Sequence, residues 1–223
     1  MPRTARIAPG GMLFHVLNRG VGQMRLFRKD RDYQAFEEIM EKTLESCPIR
    51  ICAYLIMPNH WHFVLWPEND GDMAAFMQKL SVTHVRNWQE HRQRVGMGHV
   101  YQGRYKSFPI ETDEYFYQAV RYVERNALRA NLVSKSEEWR WSSLWRRIHG
   151  TTSQRKILGD WPVPKPRNWL DYVNKPQTEA ELQALRNCLA RGQPYGSEAW
   201  TKKTAQRLGL ESTLRRRGRP RLH

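Results

Sequence analysis

Between Ile49 and Trp66 the chain carries two short apolar runs, Ile49 to Ile56 and His60 to Trp66, separated only by Met57-Pro58-Asn59. Runs of this length that meet at a proline-containing turn read as neighbouring antiparallel strands. The rest of the first 150 residues falls into place around that hairpin. Met12 to Asn18 (MLFHVLN) predicts an earlier strand, closed by Arg19-Gly20. After a capping Asp30, residues Tyr33, Phe36, Ile39, Met40 and Leu44 recur at helical spacing until Pro48 stops them. Met73, Phe76, Met77, Leu80, His84 and Trp88 mark one face of a second helix, and a strand-like stretch follows near Tyr105 to Ile110. A third helix is expected from about Thr112 to Leu128, with Phe116, Ala119, Val120, Val123 and Ala127 on its apolar side. The order β-α-β-β-α-β-α implies an α+β fold, a ferredoxin-like antiparallel sheet covered by helices.

Composition changes near Gly150. A proline-rich connector containing WPVPKP leads to short helices at Thr178 to Arg191 and Trp200 to Leu208, then a basic tail from Leu214 to His223. The expected division is a first domain over residues 1–150 and a basic, mostly helical and irregular DNA-binding extension over residues 151–223. Charge supports that reading. The chain has 37 Lys and Arg against 22 Asp and Glu, a net +15, and residues 151–223 alone hold 15 basic and 6 acidic side chains. Such an excess favours a polyanionic partner, nucleic acid first and an anionic membrane surface second. No apolar run approaches the roughly 20 residues that span a bilayer. Residues 1–11 lack the apolar segment of a secretion signal, and the three cysteines show no CxxC pairing. A cytoplasmic, nucleoid-associated protein is expected, with no membrane partner.

The side chains of a strand alternate, so His60 and His62 project from one face and Trp61 from the other. Two imidazoles at that spacing can share a divalent cation; they can also simply fill half-polar strand positions. Burying two ionisable groups unpaired is costly, which favours a use for them. Asn59-His60-Trp61-His62, followed by an apolar strand, resembles the His-hydrophobe-His motif of single-strand DNA endonucleases and transposases with a tyrosine nucleophile. The chain is most similar to the IS200/IS605-like HUH transposases of single-tyrosine type, and among them to the REP-associated tyrosine transposases. MPNHWHFVLWP, YQGRYKSFPI and YVERNALRANLV carry the resemblance, over roughly residues 10–148.

The resemblance implies a nucleophilic tyrosine on the helix downstream and a polar metal ligand one turn later. Tyr122 and Asn126 match, at the i, i+4 spacing that shares a helix face. Tyr115 and Tyr117 are the rivals. Tyr115 lies 11 residues from Asn126, roughly 16 Å of helical rise, and Tyr117 would pair with Arg121, which cannot ligate a cation. By the resemblance, His60, His62 and Asn126 hold Mg²⁺ or Mn²⁺, and Tyr122 cuts single-stranded DNA beside an imperfect hairpin, leaving a 5′-phosphotyrosine and a free 3′-hydroxyl. The family also implies action as a monomer or a homodimer.

Several cations are candidates for holding the DNA. Tyr101 to Lys106 interleaves aromatics with charge, so Arg104, Tyr105 and Lys106 suit stacking on bases while holding phosphates, or form a solvated strand edge. Arg121, Arg125 and Arg129 step along the third helix near Tyr122. Arg217-Gly218-Arg219-Pro220 looks like the core of an AT-hook, whose arginines (Arg217 and Arg219) would lie in an A·T-rich minor groove. Two other functions compete with strand transfer. One is a DNA-binding module that keeps the fold without catalysis. The other is a metal-dependent hydrolase, disfavoured because no Asp or Glu lies beside the histidine pair.

Overall fold

The protein is described, over residues 7–215, from a computed structural model. Four strands, β1 (Leu13–Arg19), β2 (Arg50–Met57), β3 (His60–Trp66) and β4 (Lys106–Ile110), form one antiparallel sheet in the order β2-β3-β1-β4. This is the ferredoxin-like arrangement expected from the order of elements. Helices α1 (Asp30–Ser46) and α2 (Asp72–His91) cover one face, where they bury Phe14, Val16, Trp61, Phe63 and Leu65 of the central strands. Alternation sends the remaining side chains of β1 and β3, including Leu13, His15, His62 and Val64, to the opposite face.

That opposite face is covered by α3 (Glu114–Glu124), whose Phe116, Ala119, Val120 and Val123 pack on Leu55, Val64 and Phe108. A continuous helix to Leu128 was expected. The structure instead ends α3 at Glu124 and begins a single turn, α4 (Asn126–Arg129), with Arg125 at φ −86°, ψ −4° between them. In β2 a bulge between Ile51 and Ala53 reverses the alternation, so Ile51 and Tyr54 both face α1.

Beyond α3 and α4 come α5 (Ser143–His149), α6 (Thr152–Arg155), α7 (Trp169–Asn174), α8 (Glu179–Arg191) and α9 (Glu198–Arg207). Two of these, α6 and α7, lie within the segment expected to be a plain connector. Capping explains α6 and α8: the Thr151 and Thr178 hydroxyls accept from the backbone N–H groups of Gln154 and Glu181. The segment from residue 151 onward shares a core with the sheet. Trp169, Val173, Leu185, Cys188 and Tyr195 are buried among the residues under α3. The Tyr195 backbone also bonds to the free edge of β4, donating to Pro109 and accepting from Glu111. No described helix is long and apolar enough to cross a membrane. The AT-hook-like residues Arg217 and Arg219 lie outside the described residues.

A chain of buried hydrogen bonds stiffens the face under α1 and α2. Trp61 Nε1 donates to Tyr101 Oη (2.8 Å), and the Tyr101 hydroxyl shares a further hydrogen bond with His84 Nδ1 (2.6 Å). His84 is enclosed by Phe27 and Phe36, and burial pushes its pKa down to about 3. The unfolded chain therefore takes up a proton near pH 6.5 that the folded chain refuses until about pH 3. Stability is expected to fall with pH across that window, by about 1.4 kcal/mol per pH unit from this group. Urea titrations at pH 6.5 and 4.5 should show a shallower loss for His84→Gln than for the wild type. An identical slope would remove His84 from the account.

Candidate active site

The sheet face that carries His62 opens, at the Arg19 end of β1, into a cleft of about 650 Å³. Its floor is the exchange point of β1 and β3, where Arg19 pairs with His60 and Leu17 with His62. Tyr122, Asn126 and Arg129 form one wall, and the other walls come from residues 102–106 and from α8. Sheet register and the α3–α4 break together bring the four candidate residues to one place. His62 Nε2 lies 2.9 Å from Asn126 Nδ2, and the Tyr122 ring stands edge-on to His62 with centroids 5.9 Å apart. The ring centroids of His60 and His62 are 5.0 Å apart.

Local hydrogen bonds orient the first imidazole. The Asn59 amide nitrogen faces the Gln23 carbonyl, which can only accept, so Asn59 Oδ1 is turned to His60 Nδ1 at 2.6 Å. His60 therefore carries its proton on Nδ1 and leaves Nε2 as a lone pair. Burial lowers its pKa to about 4, assisted by Arg129 and Arg19, and holds that of His62 well below 6.5, with His60, His15 and Arg129 adding to the effect. Both imidazoles are neutral at physiological pH, the state in which histidine binds a metal.

Two neutral imidazoles and an amide fit a hard divalent cation that is completed by phosphate oxygens. Asn126 meets this requirement when its amide turns over to present Oδ1 where Nδ2 now stands. Among the described residues no acidic side chain lines the cleft, and no group of three or more His, Cys, Asp or Glu is placed to hold a metal. A bound cation here would have its charge balanced by the ligand it meets, not by the protein.

The cations sort into two sets. Arg19, Arg104, Lys106 and Arg129 line the cleft. Arg129 lies 4.3 Å over the Tyr122 ring. The other set turns away. Arg121 is buried; it donates to the carbonyls of Lys175 and Pro176 (2.8 and 2.9 Å), pairs with Glu181 and stacks over Tyr172. The guanidinium expected to neutralise DNA phosphate thus holds the α7–α8 connection in place. Arg125 is half-buried near the Asn174 carbonyl and does not line the cleft. Tyr105, between Arg104 and Lys106, packs towards the α1–α2 side.

Two residues of the site were not singled out from the sequence. His15 is fully buried behind His62, with its Nε2 3.0 Å from His62 Nδ1. Its signal was an ionisable residue inside the apolar Leu13-Phe14-His15-Val16-Leu17 run. Arg186 reaches the cleft from α8, and nothing in its local sequence points there.

A cation-lined cleft without acids admits a polyanion, and the family that the chain matches is one of DNA-processing enzymes. The chain belongs to the IS200-like transposases: residues 11–126 match the family described as "Transposase IS200 like". It is 25% identical over 168 residues to a Haemophilus influenzae protein assigned as a REP-associated tyrosine transposase, covering 68% of this chain and 94% of that one. Its fold is similar to that of a REP-associated tyrosine transposase solved bound to a REP hairpin, with a TM-score of 0.54 at 18% identity. That likeness covers 80% of this chain and all of the relative.

Proposed function

We propose that the protein is a metal-dependent nickase and strand transferase that acts on single-stranded DNA beside a hairpin of the REP type. The observation that carries this reading is the convergence of Tyr122, Asn126, His60 and His62 in one cleft lined by cations and free of acids. A tyrosine hydroxyl is a weak nucleophile at neutral pH and needs both a polarised target and a fixed direction of attack. His60, His62 and Asn126 would hold Mg²⁺ or Mn²⁺, which when bound supplies Lewis-acid polarisation of a phosphate oxygen. Arg129 supplies direction: its guanidinium, stacked on the Tyr122 ring, holds that ring at the cleft wall.

In cleavage, a bond forms between Tyr122 Oη and phosphorus and the bond to the 3′ oxygen breaks. The tyrosine proton leaves to water and the departing oxygen takes one up. A phosphotyrosine remains on the 5′ side, and attack on it by a 3′-hydroxyl rejoins a strand without an external energy source.

The test is incubation with labelled single-stranded hairpin DNA and Mn²⁺, followed by denaturing electrophoresis. A covalent protein–DNA adduct is expected. Cleavage with no adduct would favour a hydrolase, and binding with no cleavage across many hairpins would favour a binding module.

Arg186 is assigned to a phosphate in the same cleft. Its partner Glu179 is exposed, so that ion pair is worth little and is readily exchanged for DNA. Arg186→Ala is expected to weaken single-strand binding several-fold and to lower the slope of log K against log salt by about 0.7–1. A binding titration at several salt concentrations checks this, and an unchanged slope would place Arg186 outside the DNA contact.

A further inference from the structure

We propose that His15 is a positioning residue that accepts the His62 Nδ1 proton and thereby leaves the His62 Nε2 lone pair directed into the cleft. The inference rests on the metal-holding role proposed for His60, His62 and Asn126, and goes one layer behind it.

For His60 the protein itself decides the tautomer, because Asn59 Oδ1 can only accept. For His62 it does not. Its Nδ1 faces His15 Nε2 at 3.0 Å, and an imidazole nitrogen can serve either as donor or as acceptor. Two proton arrangements fit the same heavy atoms. In the first, His62 Nδ1–H donates to His15 Nε2, His62 Nε2 is a lone pair, and the His15 proton lies on Nδ1. In the second, His15 Nε2–H donates to His62 Nδ1, and His62 Nε2 carries a proton that the Asn126 amide oxygen can accept. Only the first arrangement leaves His62 able to bind a cation.

The far end of the chain is what makes this a two-way choice. His15 Nδ1 is buried without any hydrogen-bond partner, in contact with the Phe108 ring at a centroid separation of 4.9 Å. With no partner there, neither a proton nor a lone pair at that atom is specifically favoured, and buried polar atoms in this condition are uncommon. The decision passes to the other end, at Asn126. As placed, Asn126 Nδ2 donates to His62 Nε2, which selects the first arrangement and shields the lone pair. With the amide turned over, His62 Nε2 would be free to hold the cation, and the first arrangement would persist. His15 is thus the acceptor that receives the His62 proton in the state able to bind metal. It is held by the sheet register, diagonal to His62 across the β1–β3 pair.

The experiment uses the full chain. Mn²⁺ affinity is measured by calorimetry for wild type, His15→Phe and His15→Gln, with circular dichroism as the folding control. Phenylalanine keeps the ring and removes the acceptor, while glutamine keeps an acceptor near the position of Nε2. His15→Phe is expected to bind Mn²⁺ 10–100-fold more weakly, the usual effect of losing such a support, with His15→Gln restoring most of the affinity. In parallel, ¹⁵N spectra of histidine-labelled wild type with Mg²⁺ should show both His62 and His15 protonated on Nδ1, an outcome that needs no variant to fold. Wild-type affinity in a folded His15→Phe, or a His15 protonated on Nε2 in the Mg²⁺ complex, would overturn the inference and leave the metal reading standing. Absence of any Mn²⁺ or Mg²⁺ binding by wild type would overturn both.

Discussion

Tyr122→Phe is expected to abolish the covalent protein–DNA adduct and to lower strand cleavage about a thousandfold or more, with fold and DNA affinity nearly unchanged. The size of the loss follows from what is removed. A nucleophile acts in every turnover, and no neighbouring group in the cleft can replace it. Tyr115 and Tyr117 are engaged elsewhere: the Tyr115 ring packs edge-on against Tyr195, and the Tyr117 hydroxyl donates to the Pro164 carbonyl. Phenylalanine keeps the ring beneath the Arg129 guanidinium and against His62 and His15, so the wall of the cleft stays in place. What is lost structurally is the hydroxyl alone, since the stacking of Arg129 on the ring is kept. The measurement compares adduct yield, single-turnover cleavage rate and hairpin affinity for the two proteins. An adduct that persists in Tyr122→Phe would move the nucleophile to another side chain.

Strand alternation and helical spacing made much of this site legible in advance. His60 and His62 could be placed on one face because the period of a strand is two. Tyr122 and Asn126 could be placed together because the helical period is near four, and they still meet at His62 although the helix breaks at Arg125. Periodicity does not say what covers a face. Arg121 shares the spacing of Arg125 and Arg129, and only the folding-back of residues 174–181 turns its guanidinium into a brace for α8. The same folding-back delivers Arg186 to the cleft across more than 60 residues of sequence from Tyr122, a distance no local pattern spans. His15 was hidden for a different reason. An isolated histidine in an apolar strand looks like core until the register of β1 against β3 sets it behind His62. The proline-rich segment reads as a connector on its prolines, and its few apolar residues give no periodic signal of the helices it holds. Their packing is carried by single large side chains, Trp161 and Trp169, instead of an amphipathic stripe.

Trp169 shows how far that packing reaches, and Trp169→Ala is expected to destabilise the entire protein by about 3–5 kcal/mol. The indole is buried against Trp161, Tyr117 and Tyr172, and its Nε1 donates to Glu124 Oε2 at 2.8 Å. Glu124 is itself fully buried at the end of α3, where burial raises its pKa, and its other oxygen accepts from the Ser143 hydroxyl at 2.7 Å. Removing the indole opens a cavity and leaves one buried carboxyl oxygen without a donor. Trp169→Phe keeps much of the ring while removing the donor, and should cost less, about 1–3 kcal/mol. Because Glu124 ends the helix that carries Tyr122, two residues from Asn126, the damage is not confined to the C-terminal segment. An extension that folded as an independent unit would melt alone in Trp169→Ala, giving two transitions. Bonds that cross residue 150 argue for one transition instead: Gly159 N donates to the Ile51 carbonyl and Trp161 Nε1 to the Cys52 carbonyl. Urea unfolding followed by both tryptophan fluorescence and circular dichroism decides between them. Coincident curves with a lower midpoint and an unchanged slope would show that the sheet and the segment carrying Arg186 stand or fall together.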